Sequence, residues 1–279
     1  MVKPTVSPSN WRATGFSVQG ARHVQNNTPC QDAFHIQHHK EYELLAVAIA
    51  DGHGDPKHAH SDVGAQVAVK EATKLLLLAA EDLLLDPTIS PKSIEDRLYM
   101  HLPKRIAYEW NRSIKTDNRL EKNGAWHEIL VKYGTTILGA VVSPHFALFI
   151  QLGDGDIMIM NTEAQQRFIF SQSEDLFGSV THSLCQPNSH LHTQVKCERL
   201  SDPRLLILST DGIRDCLEDE SAMMKIPNWY LRKVKEEGWD ALDDILPNWL
   251  SQLSERGNGD DATITIIEWK QENEGGESQ

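Results

Sequence analysis

Residues Leu44 to Gly54, reading Leu-Leu-Ala-Val-Ala-Ile-Ala-Asp-Gly-His-Gly, limit what this chain can become more than any other stretch. An unbroken apolar run rich in small and β-branched residues suits a strand buried on both faces, since successive side chains point to opposite sides and neither side is polar. The run stops at Asp51, which places a carboxylate at a buried strand's mouth. Gly52 and Gly54 let the backbone turn tightly and approach something closely, Asp51 offers hard oxygen ligands, and His53 offers a proton donor or acceptor. Alone, the tetrapeptide fits a polar strand-to-helix turn better, with Asp51 capping the next element. Its meaning depends on whether distant parts of the chain supply matching carboxylates.

The length of 279 residues fits one large domain or two small ones, and no repeat or linker divides it. With 27 basic against 40 acidic residues the net charge is −13, which argues against a phosphate-backbone or anionic-membrane partner. Cys30, Cys185, Cys197 and Cys216 form no Cys-x-x-Cys pair and no zinc-finger spacing with histidine, so they read as reduced thiols. The N-terminus lacks an apolar core of signal-peptide length, and no later run approaches the ~18 residues of a membrane span. The expected location is the cytoplasm.

Trp11 to Gln19 alternates as a first strand, and Asp32 to Gln37 follows as a second after the turn-rich Asn26-Asn27-Thr28-Pro29. Leu44 to Ala50 is the third. From Lys57 the period changes, and Val63, Val67, Ala68, Ala72, Leu75 and Leu76 recur at helical spacing to about Leu85, before Pro87. Ser90 and Pro91 open another helix with Ile94, Leu98, Leu102, Ile106 and Trp110 on one face and Pro103 as a kink. A hairpin meander comes next: Thr135 to Val142, Phe146 to Leu152, Asp156 to Met160 and Gln166 to Phe170, turning at Ser143-Pro144-His145 and Gly153-Asp154-Gly155. Ser171 to His190 lacks periodicity and reads as a long loop or flap. Leu191 to Glu198 and Arg204 to Leu208 return to strand, the latter leading into Ser-Thr-Asp-Gly. Helices around Ser221 to Glu237 and Asp240 to Glu255 precede Gly257-Asn258-Gly259-Asp260-Asp261 and a last strand, Ala262 to Trp269. Residues 1–269 are expected to form one domain, and the polar stretch 270–279 a disordered tail.

Asp32, Asp51, Asp154, Asp211 and Asp260 share one local grammar, each at a strand edge beside a turn residue. Magnesium and manganese prefer carboxylates, carbonyls and water, and clustered carboxylates repel unless a cation sits among them. Two such ions about 4 Å apart can share and acidify one water and aim it in line at phosphorus.

Gln31-Asp32-Ala33, Asp51-Gly52-His53-Gly54, Gly134-Thr135-Thr136, Gly153-Asp154-Gly155-Asp156, Asp211-Gly212-Ile213-Arg214-Asp215 and Gly259-Asp260-Asp261-Ala262-Thr263 stand in an order that resembles the motifs of the protein phosphatase 2C family, from about Gly15 to Ile267. Six motifs in order are far more specific than any one. The resemblance implies an α+β fold, a four-layer α-β-β-α sandwich of two packed antiparallel sheets flanked by helix pairs. It implies a Mn2+- or Mg2+-dependent serine/threonine protein phosphatase of bacterial type, using direct attack of activated water and no covalent intermediate. By the same resemblance Asp51 bridges two metal ions, with the Gly52 carbonyl on one and Asp211 and Asp260 on the other. Asp32 holds the second metal, directly or through water, and a third, weaker ion involves Asp154 and Asp215. His53 takes the position of the general acid that protonates the leaving seryl or threonyl oxygen. The implied partner is a phosphorylated protein, opposing a serine/threonine kinase, met by a monomer without nucleic acid or membrane.

Two positions depart from that pattern. The family's phosphate-gripping arginine falls here on Asn26-Asn27-Thr28, and Arg22 is a better chemical substitute than His23 because a basic fork matches a phosphate. Gln31 stands where eukaryotic members carry glutamate, which moves the ligand burden onto Asp32. The alternatives are a catalytically inactive phosphatase fold that binds a phosphoprotein, and a regulator devoted to one partner protein. Degraded ligands would favour the first, and none is degraded. Other residues read as structural: His58 and His60, two apart on a helix, face solvent; His38-His39 lies on a hairpin surface; Cys216 packs near the site; Trp229, Trp239 and Trp249 pack in the core.

Overall fold

Alternation along the strands sends one set of side chains into the middle of the molecule and the other toward helices. The structure, a computed structural model, describes residues 11–39, 41–84, 88–120, 123–170, 181–217 and 219–269. The early elements are β1 (Trp11–Val18), α1 (Ala21–Asn26), β2 (Ala33–His39), β3 (Leu44–Ala50), α2 (Ser61–Leu84), α3 (Pro91–Leu98), α4 (His101–Ile114) and α5 (Trp126–Val131). After them come β4 (Ile137–Val142), β5 (Phe146–Leu152), β6 (Asp156–Asn161), β7 (Gln166–Phe168), β8 (Gln194–Arg199) and β9 (Pro203–Ser209). The chain continues through α6 (Asp211–Arg214), α7 (Glu220–Met223), α8 (Ile226–Glu237) and α9 (Leu242–Arg256) into β10 (Ala262–Trp269). Among the described residues the strands make two five-stranded antiparallel sheets, ordered β1-β10-β9-β6-β7 and β2-β3-β4-β5-β8.

β3 explains the stacking. Leu45, Val47 and Ile49 enter the layer between the sheets, with Leu138 and Phe149 from their own sheet and Ile157, Leu206, Leu208 and Ile267 from the other. Leu44, Ala46, Ala48 and Ala50 belong to the opposite core, shared with α2 through Ala65, Ala68 and Ala72. Alanine on both surfaces lets helix and sheet approach closely, and each Leu or Ile buried here contributes about 1.5–3 kcal/mol. On the far side, Ile264 and Ile266 of β10 pack with Leu246 and Leu250 of α9 and Tyr230 of α8. The layers run helix, sheet, sheet, helix, the expected α+β sandwich. The late tryptophans are structural: Trp229 lies 4.9 Å from Trp249, and Arg12 sits over Trp239 at 4.0 Å. All four cysteines are free thiols. Among the described residues no helix is long and apolar enough to cross a membrane.

Several local expectations fail for tertiary reasons. The helix expected from Ser90 is broken between Leu98 and His101, giving α3 and α4. Pro103 falls in the first turn of α4, where its missing N–H costs nothing, whereas an unbroken helix would press its ring on the Tyr99 carbonyl. The meander is interrupted too. β5 pairs with β4 and β8, while β6 pairs with β9 and β7, so Gly153-Asp154-Gly155 crosses between sheets rather than closing a hairpin. α1 and α5, six residues each, are too short for helical periodicity to register. Of the long loop, 171–180 lie outside the described residues, as do 270–279 of the tail; Thr181 onward forms turns and a 3₁₀ turn at Ser189–Leu191.

Candidate active site

Antiparallel register gathers residues that are far apart in sequence. Ala33 pairs with Ala50, so Asp32 and Asp51, each just outside its strand, leave β2 and β3 side by side. Ile137 pairs with Leu152, which brings Thr136 and the Gly153-Asp154 crossing to the same level. In the second sheet Asp156 pairs with Ser209 and Ser209 with Ile264, so Asp211 and Asp260-Asp261 flank the same edge. Asp215 lies one helical turn on, its N–H donating to the Asp211 carbonyl at 2.8 Å.

The backbone of Asp51 is locked by the Gly134-Thr135-Thr136 segment. Its N–H donates to Thr136 Oγ1 at 2.9 Å, and its carbonyl accepts from Thr135 Oγ1 and from the Thr136 N–H, both at 2.8 Å. Gly52 next to it is sterically required: a Cβ there would stand 2.5 Å from the Gln31 carbonyl oxygen and 2.9 Å from that of Ser61. Gly54 is different. A Cβ at Gly54 would make only ordinary contacts, the nearest 3.8 Å away, so the close approach expected of both glycines belongs to Gly52 alone.

The carboxylates feel one another. Burial raises the Asp51 carboxyl well above the ordinary range, and Asp211 and Asp32 raise it further. Burial likewise pushes Asp211 up to about 6, with Asp154, Asp215 and Asp260 adding to the effect. Asp32 is raised by burial and then by Asp261, although Thr210 Oγ1 donates to its Oδ2 at 2.9 Å. Burial also raises Asp215, with Asp154 and Asp260 adding. Asp51 and Asp211 lie close enough for each to shift the other's carboxyl, and like charges held that close call for a proton or a cation between them.

Other acids at this edge are matched. Asp261 accepts from the Gly20 N–H at 2.6 Å and the Gln31 N–H at 2.7 Å, and His23 Nδ1 lies 2.9 Å from its Oδ1, off the hydrogen-bonding direction. Asp156 pairs with Arg214, yet burial still leaves its carboxyl raised. Asp154 accepts from Thr181 Oγ1 at 2.7 Å, so the described end of the long loop reaches the crossing between the sheets. Arg22 stands at the rim, its Nη2 3.1 Å from Asp260 Oδ2, with about half its side chain exposed. His23 is buried against Asp261, which leaves the Arg22 guanidinium as the accessible basic group of the two.

His53 and His58 form a pair that periodicity did not reveal. His58 does not face solvent: it closes a 3₁₀ turn at Pro56–His58, is 7% exposed and meets the Val131 carbonyl through Nδ1. His60 is also inward, its ring 5.2 Å from that of Tyr133. Burial pushes His53 down to about 4, His58 adding to the effect, so its imidazole is neutral at pH near 7.

Among the described residues no group of three or more His, Cys, Asp or Glu side chains is already arranged to hold a metal ion. The donor chemistry nevertheless fits one. Asp32, Asp51, Asp211 and the Gly52 carbonyl offer only hard oxygens, and the raised carboxyls need positive charge. Sequence reasoning missed the supporting parts, namely Thr210 on Asp32, Thr181 on Asp154, Asp261 as a clamp, and His58. A hydroxyl's or carboxylate's partner has no period by which it could have been found.

A family model described as Protein phosphatase 2C matches residues 19–251. The chain is 24% identical over 274 residues to serine/threonine-protein phosphatase 3 of Escherichia coli strain K12, covering 93% of this chain and 99% of the relative. Similar solved structures include a bacterial serine phosphatase, 17% identical with a TM-score of 0.59, covering 94% of this chain and 98% of that one. A serine/threonine phosphatase from Staphylococcus aureus is 17% identical, with a TM-score of 0.59 and coverage of 93% and 95%. A serine-threonine phosphatase 2C from Toxoplasma gondii is 15% identical, with a TM-score of 0.60 and coverage of 96% and 97%. At these identities the structural likenesses speak for the fold.

Proposed function

This chain belongs to the protein phosphatase 2C family, and on that premise we propose that it hydrolyses phosphoserine and phosphothreonine in proteins at the acidic edge of the sandwich. The observation that carries the reading is the neighbouring pair Asp51 and Asp211, two carboxyl groups each raised by burial and by the carboxylates around it. Asp51, Asp32, Asp211, Asp260 and the Gly52 carbonyl would hold two Mn2+ or Mg2+ ions, and Asp154 with Asp215 a third. Bound there, the ions supply an acidified water and neutralise the phosphoryl oxygens. Thr135 and Thr136 keep the Asp51 backbone fixed, and Thr210 orients Asp32. Arg22 receives the phosphate at the rim. His53, neutral, hydrogen-bonds the leaving seryl or threonyl oxygen through its imidazole N–H as the P–O bond breaks, and solvent replaces the proton it yields there. Residues 1–269 act as one catalytic unit, the substrate being a phosphoprotein set by an opposing kinase in the cytoplasm.

The test is phosphate release from phosphoserine, phosphothreonine and phosphotyrosine peptides, with and without manganese. Release from the first two, dependent on the metal, is expected. Silence with every divalent metal would leave a phosphoprotein-binding fold instead.

A further inference from the structure

A second imidazole lies against the proposed acid. The rings of His53 and His58 have centroids 4.8 Å apart, tilted by 52°. His58 is held on every side that matters. Its Nδ1 faces the Val131 carbonyl, and because a carbonyl only accepts, that nitrogen carries the proton and fixes the tautomer. Asp55 accepts from the Lys57 N–H at 3.0 Å and, through its carbonyl, from the His58 N–H at 2.8 Å, which closes the turn that carries the ring. Gly134 fills the remaining space. A Cβ there would stand 2.5 Å from His58 Nδ1 and 2.9 Å from His53 Cδ2, so one backbone segment touches both imidazoles. That segment is itself anchored, since Tyr133 is fully buried and donates its hydroxyl to Asp117 at 2.8 Å, while the His53 N–H donates to the Gly134 carbonyl at 3.2 Å.

A free imidazole samples several rotamers, and each wrong one withholds its N–H from the departing oxygen. We propose that His58 is a positioning residue, whose ring holds His53 in the orientation that assists departure of the seryl or threonyl oxygen. This rests on the role given to His53 above.

Leaving groups separate the two ideas. p-Nitrophenolate departs from phosphorus without a proton, whereas phenolate, like a seryl oxygen, benefits from one. The ratio of kcat/KM for phenyl phosphate over p-nitrophenyl phosphate, taken on one manganese-loaded sample, does not depend on how much of the protein is folded. His53→Ala is expected to lower that ratio about 100-fold. His58→Ala should lower it about tenfold while p-nitrophenyl phosphate turnover stays within about threefold. His58→Asn keeps a donor at the place of Nδ1 for the Val131 carbonyl without the ring, so it carries the same expectation should the alanine variant not fold. The double variant His53→Ala/His58→Ala should match His53→Ala alone, because a positioner has nothing left to position. Equal losses on both substrates in the His58 variants, or a further drop in the double variant, would overturn the proposal for His58 alone. An unchanged ratio in His53→Ala would overturn the acid role itself, and His58's with it.

Discussion

Asp51 and Asp261 both sit at the mouth of a strand on the same edge of the sandwich, yet the fold treats them oppositely. The Asp261 oxygens are filled by the N–H groups of Gly20 and Gln31, so this carboxylate ties the start of β10 to the starts of α1 and β2. Burial and the carboxylates around it, Asp211 foremost, push the Asp51 carboxyl well above the ordinary range. A carboxylate matched by donors is part of the frame. One that faces another carboxylate costs stability until positive charge arrives, and a fold that retains it is holding a place for that charge.

The largest effect should come from removing each acid in turn. Asp51→Asn is expected to lower metal-dependent turnover of p-nitrophenyl phosphate about a thousandfold, roughly 4 kcal/mol of barrier, without lowering the melting temperature in EDTA. Asp261→Ala strands two backbone N–H groups, each costing about 1–3 kcal/mol, and should lower the melting temperature with or without metal. If Asp51→Asn left turnover intact, or proved the more unstable variant in EDTA, the distinction between frame and site would collapse.

A smaller effect should come from pH. Asp211 titrates at about 6 in the folded protein against an ordinary 3.8, so the folded state binds its proton more tightly than the unfolded chain does. Its contribution to stability is fully present below about 4 and is lost as pH rises through about 6. In EDTA the melting temperature is therefore expected to fall as pH increases across that window, and saturating manganese should flatten the trend. A chelated protein that grew more stable across the window would contradict the raised carboxyls.

Arg22 sharpens the comparison at its edge. Its pairing with Asp260 is half-exposed and weak, so Arg22→Ala should raise KM for a phosphopeptide about two- to threefold with little change in kcat. A shift in manganese dependence with KM unchanged would make Arg22 a partner of Asp260 instead of a grip on phosphate.

Much of this is legible in the residues themselves. The apolar run of Leu44 to Ala50 announces a strand buried on both faces, and it is one, with alanines on its helix side and Leu45, Val47 and Ile49 between the sheets. The ordered Asp-Gly motifs point to the family that residues 19–251 match. What stayed hidden had no period or spacing of its own. His58 looks like a solvent-facing helical residue because it lies three residues before Ser61, where the helix begins; a 3₁₀ turn instead rotates it inward.

For Asp51-Gly52-His53-Gly54, the chain alone determined that a carboxylate ends a buried strand and that other aspartates end other strands. Both come from burial, which imprints itself on neighbouring residues as periodicity. Tertiary structure decided which acids face each other and which are filled, that Gly52 but not Gly54 must be glycine, that residues 153–155 pass between sheets, and that His53 has an imidazole beside it. Those outcomes depend on distances of a few ångströms between residues far apart in sequence, and only the closed register of the two sheets sets them.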